Sequence, residues 1–174
     1  FYRFDQEDPE RTRYDIREFI WTHLGADYEF RAGVGKVFWG QTESLHLVDI
    51  INQTDLVDAT DFETKLGQPM VSFSYYFDAG TFSAFVLPYF RERTFAGVQG
   101  RLRPVVPISN DQAFYESDDE QSHVDYALRW KQSLDNWEIG LSYFTGTNRE
   151  PLLISTGNIE DGDFELFPYY ELID

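Results

Sequence analysis

Apolar and polar residues alternate with a period of two along most of this chain, as they do in a β-strand whose two faces meet different surroundings. The alternating runs cover about 13–21, 28–38, 69–77, 82–90, 124–131, 137–143 and 164–173. In the third run, for example, Val71, Phe73 and Tyr75 share one parity, and Ser72 and Ser74 share the other. The pattern predicts an all-β chain of about seven antiparallel strands.

The connections between these runs alternate between short and long. The segments "LGAD" (24–27), "DAG" (78–80) and "SLDN" (133–136) have the composition of tight turns, whereas about 39–68, 92–121 and 145–163 are long loops. In an up-and-down sheet this order places every turn at one end and every long loop at the other, as in a transmembrane β-barrel of the outer membrane. A soluble lipocalin-like or sandwich domain is the alternative, because its strands also alternate.

The aromatic content favours the membrane interpretation. Aromatic residues make up 18 % of the chain, yet the mean hydropathy is −0.45, so the rings are interleaved with polar residues. Aromatic residues near the strand ends fit the interfacial girdles of membrane barrels, namely Tyr28, Phe38, Trp130, Trp137 and Tyr143. No run approaches the roughly 18 apolar residues of a transmembrane helix.

The number of strands bears on how much of a barrel is present. About seven strands would leave sheet edges unpaired, and hydrocarbon does not tolerate an unpaired edge. The chain also has no initiator Met and no signal-peptide pattern. We therefore expect residues 1–174 to be a single β-barrel fragment, truncated at both ends.

Charge and motifs exclude several classes of function. The net charge of −17 argues against nucleic acid as a partner, because a phosphate backbone requires a basic surface. Cysteine is absent, and no G-x-S-x-G, H-E-x-x-H or P-loop motif is present. We expect no enzyme, no cofactor, no metal site and no catalytic residue. A barrel hydrolase stays open as an alternative, because carboxylates are plentiful and two of them could lie at a catalytic spacing.

The polar parity of the strands predicts the lining of a pore. If the apolar parity faces lipid, the charged residues of the other parity face the lumen: Glu29, Arg31, Asp125, Arg129, Lys131 and Glu138. Such a lining suits a water-filled pathway whose selectivity follows its charges. The alternative is that these charges pair across neighbouring strands and brace the barrel.

Two loops carry further candidates. The segment 41–66 has apolar residues among its acids and could fold inward as a constriction, for which the candidates are Trp39, Glu43, Asp49, Asn52 and Asp55. A basic island in the next loop could bind anionic solutes or lipopolysaccharide phosphates, through Arg91, Arg93, Arg101 and Arg103. The alternative for the island is pairing with the acidic loops nearby.

Four segments between positions 35 and 90, "GKVFWGQTES", "DIINQTDL", "KLGQPMVSFSY" and "GTFSAFVLPYF", resemble a family of porin-like Gram-negative outer-membrane β-barrels of uncharacterised function. In that family a strand ends in Trp-Gly before an acidic residue, an Asn-x-x-Asp segment follows, and Pro-Met or Pro-Val opens the next strand. The matching residues here are Trp39, Gly40, Glu43, Asn52, Asp55, Pro69 and Met70. The segment "YALRWKQSLDNWEIGLSYFTGTNREP" (126–151) looks like a hairpin of the same kind of barrel.

The resemblance covers about 14–173 and has two departures from the family pattern. Gln41 and Thr42 separate Gly40 from Glu43, and Thr54 stands where proline is common. What the resemblance implies is a location in the bacterial outer membrane and a pore-like or lipid-handling role. It supplies no catalytic residues. The partners we expect are outer-membrane lipid, lipopolysaccharide and small solutes, with self-association as an option.

Overall fold

The computed structural model describes residues 1–39, 50–58, 63–101, 103–155 and 164–174. Glu43 and Asp49 lie outside the described residues. Two 3-10 helices span Pro9–Arg11 and Glu120–Ser122. The strands are β1 (Tyr2–Arg3), β2 (Arg13–Tyr14), β3 (Phe19–Leu24), β4 (Tyr28–Gly35), β5 (Gln68–Phe77), β6 (Gly80–Leu87), β7 (Phe114–Tyr115), β8 (Asp125–Leu134), β9 (Trp137–Thr147), β10 (Leu152–Ser155), β11 (Leu166–Tyr170) and β12 (Leu172–Ile173).

The main sheet has seven strands in the order β12-β9-β8-β6-β5-β4-β3, and every neighbouring pair is antiparallel. Its strands β3, β4, β5, β6, β8 and β9 are neighbours in this order and form an up-and-down meander. Tight turns join β3 to β4, β5 to β6 and β8 to β9, and the long connections join the opposite ends of the strands. The predicted all-β, antiparallel architecture is therefore confirmed, together with its alternation of short turns and long loops.

The register places two exposed apolar rows on one face of this sheet. Phe30, Phe73, Ala84, Leu128 and Tyr143 form one row across five strands. The row nearer the turns contains Tyr28, Tyr75, Phe82, Trp130 and Leu141. Most of these side chains are exposed, with values from 37 % for Tyr28 to 64 % for Leu141. This surface is called the outer face below.

The opposite face, called the inner face, divides into two halves. Towards the long loops it carries the hydrophobic core, which consists of Trp39, Ile51, Met70, Phe85, Leu87, Ala127 and Phe144. Towards the tight turns it carries serine, threonine and charged side chains, together with Leu24 and Tyr76. The described parts of the long loops and the N-terminal segment 1–18 pack over the apolar half and are together called the cap.

The last alternating run differs from its prediction as one strand. It divides at Glu171 into β11 and β12, and only the two residues of β12 join the main sheet, beside β9. Strand β11 instead pairs with β10 and, in parallel, with β7 in a separate three-stranded sheet of the cap. The physical reason is the burial of Tyr170, whose ring centroid lies 4.7 Å from that of Phe90.

The main sheet does not close on itself within the part of the chain that the structure describes. Strand β3 has a partner on one side only, and β9 from Trp137 to Thr145 is paired with β8 alone, before its pairing with β12 begins at Gly146. The described residues contain no helix that is both long enough and apolar enough to cross a membrane.

The two faces of β6 differ in what a truncation costs. Phe85 is 6 % exposed and packs in the core, so Phe85→Ala should lower the free energy of unfolding by about 3–5 kcal/mol. Phe82, three residues away on the outer face, is 39 % exposed, and Phe82→Ala should lower the free energy of unfolding by much less. Denaturant titration of both variants measures the difference, and equal losses would contradict the assignment of the two faces.

Candidate functional site

The turn-proximal half of the inner face is a polar surface with five charged residues. Each projects from a strand of the main sheet: Glu29, Arg31, Arg129, Lys131 and Glu138. Hydroxyl side chains fill the positions between them, namely Ser72, Ser74, Thr81, Ser83 and Ser142. This set is called the inner strip below. It contains five of the six residues that the sequence predicts as a pore lining.

Arg129 is the best-held cation of the inner strip. Its Nη1 donates a hydrogen bond of 2.9 Å to the carbonyl oxygen of Phe38. Its guanidinium carbon lies 4.9 Å from the centre of the Trp39 ring, within the range of a cation–π contact. Both partners are uncharged, and no described carboxylate forms an ion pair with Arg129.

The other charges of the inner strip lie nearer to opposite charges. Arg31 Nε is 3.9 Å from a carboxylate oxygen of Glu29 two residues away on β4, a long and partly exposed pair. Glu138 lies diagonally across from Lys131 on β9. Bracing across and along strands therefore accounts for part of the charge of the inner strip, but not for that of Arg129.

Trp39 covers the boundary between the polar and apolar halves of the inner face. It is 2 % exposed, and its ring centroid lies 5.4 Å from that of Phe85 in an edge-to-face contact. Arg129 lies over the same indole on the polar side. Trp39, predicted as a constriction residue, thus lies where the cap meets the inner strip.

Asn52 anchors the loop that follows Trp39. Its Oδ1 accepts from the backbone N–H of Val37 at 2.8 Å, and its Nδ2 donates to the carbonyl oxygens of Gly35 at 2.8 Å and Leu66 at 2.9 Å. One amide side chain therefore satisfies three backbone groups at the two ends of the loop. Asn52 is 1 % exposed and has a structural position rather than a surface one.

Asp55, another predicted constriction residue, is completely buried at the centre of an ion-pair cluster. Arg13 and Arg17 both donate to its Oδ2, Arg17 at 2.8 Å, and Thr94 Oγ1 donates to its Oδ1 at 2.9 Å. Asp58 joins the cluster through Arg3 and Arg17. Burial by itself raises the pKa of Asp55, but the hydrogen bonds and charges of Arg13, Thr94 and Arg17 outweigh it and lower the pKa to about 2.

Asp125 has the parity of a pore-lining residue but does not line an accessible surface. It is completely buried at the loop end of β8. Arg149 Nη1 donates to its Oδ2 at 2.6 Å, and the backbone N–H of Thr147 donates to its Oδ1 at 2.9 Å. His123 Nδ1 lies 2.9 Å from the same Oδ1. Burial lowers the pKa of Arg149, and the charge of Asp125 acts against that shift.

The basic island is spread over several contacts. Arg91 donates to Asp15 at 2.9 Å and to the carbonyl oxygen of Gly67 at 2.8 Å. Arg93 is 8 % exposed and donates to Glu150 at 2.8 Å, and the pKa of Glu150 is lowered mainly by that hydrogen bond. These two arginines therefore pair with acidic groups of the cap, which is the alternative predicted for the basic island.

Arg101 and Arg103 are exposed, but Arg103 faces carboxylates. It lines a cavity of about 360 Å³ together with Glu10, Asp111 and Glu165. Burial raises the pKa of Glu10, and the charge of Asp111 raises it further. An anion would meet three acidic groups in this cavity.

Sequence patterns miss the basic partners inside the cap. Arg13, Arg17 and Arg149 lie in segments without any motif, and Arg13 and Arg17 bond to a carboxylate about forty positions away. A buried carboxylate needs a cationic or donor partner, so an acid inside an apolar loop segment is the only available signal. That signal does not say which of the 14 basic residues pairs with it.

The comparisons with known proteins add no name to this geometry. The chain matches no protein-family model, no curated protein and no solved structure.

The Asp55 cluster makes the stability of the protein depend on acid pH. The carboxyl has a pKa of about 2 when folded and an ordinary value of 3.8, so its contribution is complete above pH 4 and disappears as the pH falls towards 2. This difference corresponds to about 2 kcal/mol. Asp55→Asn should remove that part of the pH dependence and lower stability at pH 7.

Denaturant titrations at pH 5, 4, 3 and 2 measure this effect. Asp27→Asn, which changes an exposed carboxyl in the β3–β4 turn, is the matched control and should keep the acid slope of the parent. An unchanged acid slope in Asp55→Asn would contradict the role of this cluster.

Proposed function

We propose that the chain forms part of the wall of a bacterial outer-membrane β-barrel, and that its inner strip lines a channel or conduit for solutes or lipid. The observation that carries the proposal is the outer face. Its apolar side chains are exposed in consecutive rows across five strands, while the opposite face, apart from Leu24 and Tyr76 near the turns, is polar or packed under the cap. A contiguous apolar surface of this extent is uncommon on a monomer in water.

Strand dimensions agree with this proposal. The strands β4, β5, β6, β8 and β9 have 8, 10, 8, 10 and 11 residues. A tilted strand needs about 9–11 residues to cross a bilayer. Aromatic side chains near the turn end, Tyr28, Trp130 and Trp137, match an interfacial girdle.

The unpaired edges have a consequence under the same proposal. Backbone N–H and C=O groups along β3 and β9 cannot be left facing hydrocarbon. Additional strands must then cover both edges, from the same polypeptide or from another copy of the chain. The tight turns would lie on the periplasmic side and the cap on the outside, where lipopolysaccharide is the neighbouring lipid.

The cap and inner strip together would define the route of a solute. The strip offers hydroxyl groups and charges of both signs, and Arg129, in contact with the indole of Trp39, lies at its end next to the cap. Selectivity would then follow from the charged side chains of the strip. The resemblance to porin-like barrels, carried by Trp39, Asn52 and Asp55 among others, is consistent with this function.

A barrel hydrolase is the second candidate, because the contact between His123 and the buried Asp125 orients an imidazole as a general base requires. No described hydroxyl donates a hydrogen bond to the remaining ring nitrogen of His123, so a nucleophile is not identified. Turnover of a lipid ester that His123→Ala abolishes, with no conductance, would favour this candidate.

Two neighbouring residues of β9 test which face meets lipid. Leu141 on the outer face is 64 % exposed, and Ser142 on the inner face is also exposed. Leu141→Arg should reduce the folded protein recovered from outer membranes, since a lipid-facing arginine costs about 2–4 kcal/mol near the bilayer midplane. Ser142→Arg should insert normally and change single-channel conductance.

Outer-membrane fractionation and planar-bilayer recordings of the protein expressed from its complete gene provide both measurements. Folded protein in the soluble fraction without detergent, or equal insertion defects in the two variants, would overturn the membrane proposal. Insertion without any conductance would overturn the channel and leave the barrel wall standing.

A further inference from the structure

We infer that Arg129 and Lys131 form a binding site for small oxyanions on the inner strip, so that the conduit prefers anions. The inference rests on the proposed function for its transport consequence, but the binding site itself can be tested without transport. The ligands that we expect at this site carry a carboxylate or phosphate group.

The first observation is that Arg129 is fixed in place without being neutralised. It donates a hydrogen bond to the carbonyl oxygen of Phe38 and forms a cation–π contact with the indole of Trp39. An arginine has five N–H donors, and a single hydrogen bond to a described residue uses one of them. The guanidinium is therefore held in one orientation with donors and a full charge left for a ligand.

The second observation is the position of Lys131. It lies two residues after Arg129 on β8, so both side chains leave the same face with their Cα atoms about 7 Å apart. Gly140 is paired with Lys131 on β9 and adds no side chain there. A cavity of about 280 Å³ lies beside Lys131, and Thr81 of β6 and Glu138 of β9 also line it.

Hydroxyl donors surround the two cations. Ser83 and Thr81 of β6 are paired with Arg129 and Lys131, and Ser142 of β9 is paired with Arg129 on the other side. Hydroxyl groups can donate to an oxyanion at little desolvation cost when no other acceptor uses them. Ser83 is 4 % exposed and its Oγ lies 2.8 Å from Ser74 Oγ, so Thr81 and Ser142 are the hydroxyl donors that the site offers to a ligand.

No carboxylate among the described residues of the inner face forms an ion pair with Arg129. Glu29 is in the same row, but β5 and β6 separate the two residues by about 14 Å, and Glu29 lies beside Arg31. Glu138 lies at the turn end, diagonal to Lys131 and exposed. Asp125, on the same strand as Arg129, is buried and bonded to Arg149.

This combination fits an oxyanion better than a cation or an uncharged sugar. A guanidinium offers parallel N–H groups that match the two oxygens of a carboxylate or phosphate, and a neighbouring ammonium adds a point charge. In a chain with a net charge of −17, two neighbouring cations on the inner strip require an explanation. Binding and passage of anions supply one.

The transport test is the reversal potential of the protein, expressed from its complete gene, in planar bilayers under a potassium chloride gradient. We expect the sign of an anion-preferring channel, and we expect inorganic phosphate and acetate, titrated separately, to reduce the chloride current. Arg129→Gln and Lys131→Gln should each weaken this inhibition about tenfold or more. Lys36→Gln, an exposed lysine beyond the inner strip, is the charge-matched control and should leave it unchanged.

The binding test uses the same proteins in detergent micelles and isothermal titration with inorganic phosphate. Loss of affinity of about tenfold in Arg129→Gln but not in Lys36→Gln would support the site, even if no channel opens in bilayers. Arg129→Lys keeps the positive charge at this position, and heat-modifiable migration on gels shows whether each variant is folded. The two controls together separate loss of binding from loss of folding. Phosphate binding equal in parent and in both inner-strip variants, or a cation-preferring channel unaffected by them, would overturn the inference.

Discussion

The shared register of β4, β5, β6, β8 and β9 is the constraint on which the rest of the structure depends. Because side chains alternate between the faces of a strand, a slip of one residue in any pair would exchange its apolar and polar sets. The observed pairing aligns Phe30, Phe73 and Leu128 in one outer row and Ser74, Ser83 and Arg129 in one inner row. Both proposed surfaces, for lipid and for solute, follow from that alignment.

The cap adds a second constraint, because it buries charge on top of an apolar core. An isolated buried carboxylate is costly, and Asp55 and Asp125 are each surrounded by cationic and N–H donors that offset this cost. Asn52 links the start of its loop, at Gly35 and Val37, to the end of the loop at Leu66. These contacts hold Trp39 in place above the inner strip, and Trp39 in turn orients Arg129. The orientation of the proposed anion site is therefore set by the cap as well as by the sheet.

Sequence reasoning succeeded where the signal was local. Strand parity, the tight turns at 25–27, 78–79 and 135–136, and five of the six inner-face charges follow from spacing alone. It failed where partners lie far apart in the chain. Asp125 has the correct parity, but Arg149 and the packed loops bury it, and Arg91 and Arg93 are bonded to acidic residues of distant segments. The run 164–173 alternates like a single strand, but packing of Tyr170 against Phe90 draws its first part into the cap.

By itself the sequence determined the fold class, the two faces of each strand and the separation of turns from loops, because a period of two is a property of neighbouring residues. Only the tertiary structure decided which half of the inner face is covered and which of the described charges form ion pairs. Those outcomes depend on contacts across the chain, such as Arg129 with Phe38 and Trp39, ninety positions apart. Burial and pairing are properties of the packed molecule, and no periodicity encodes them.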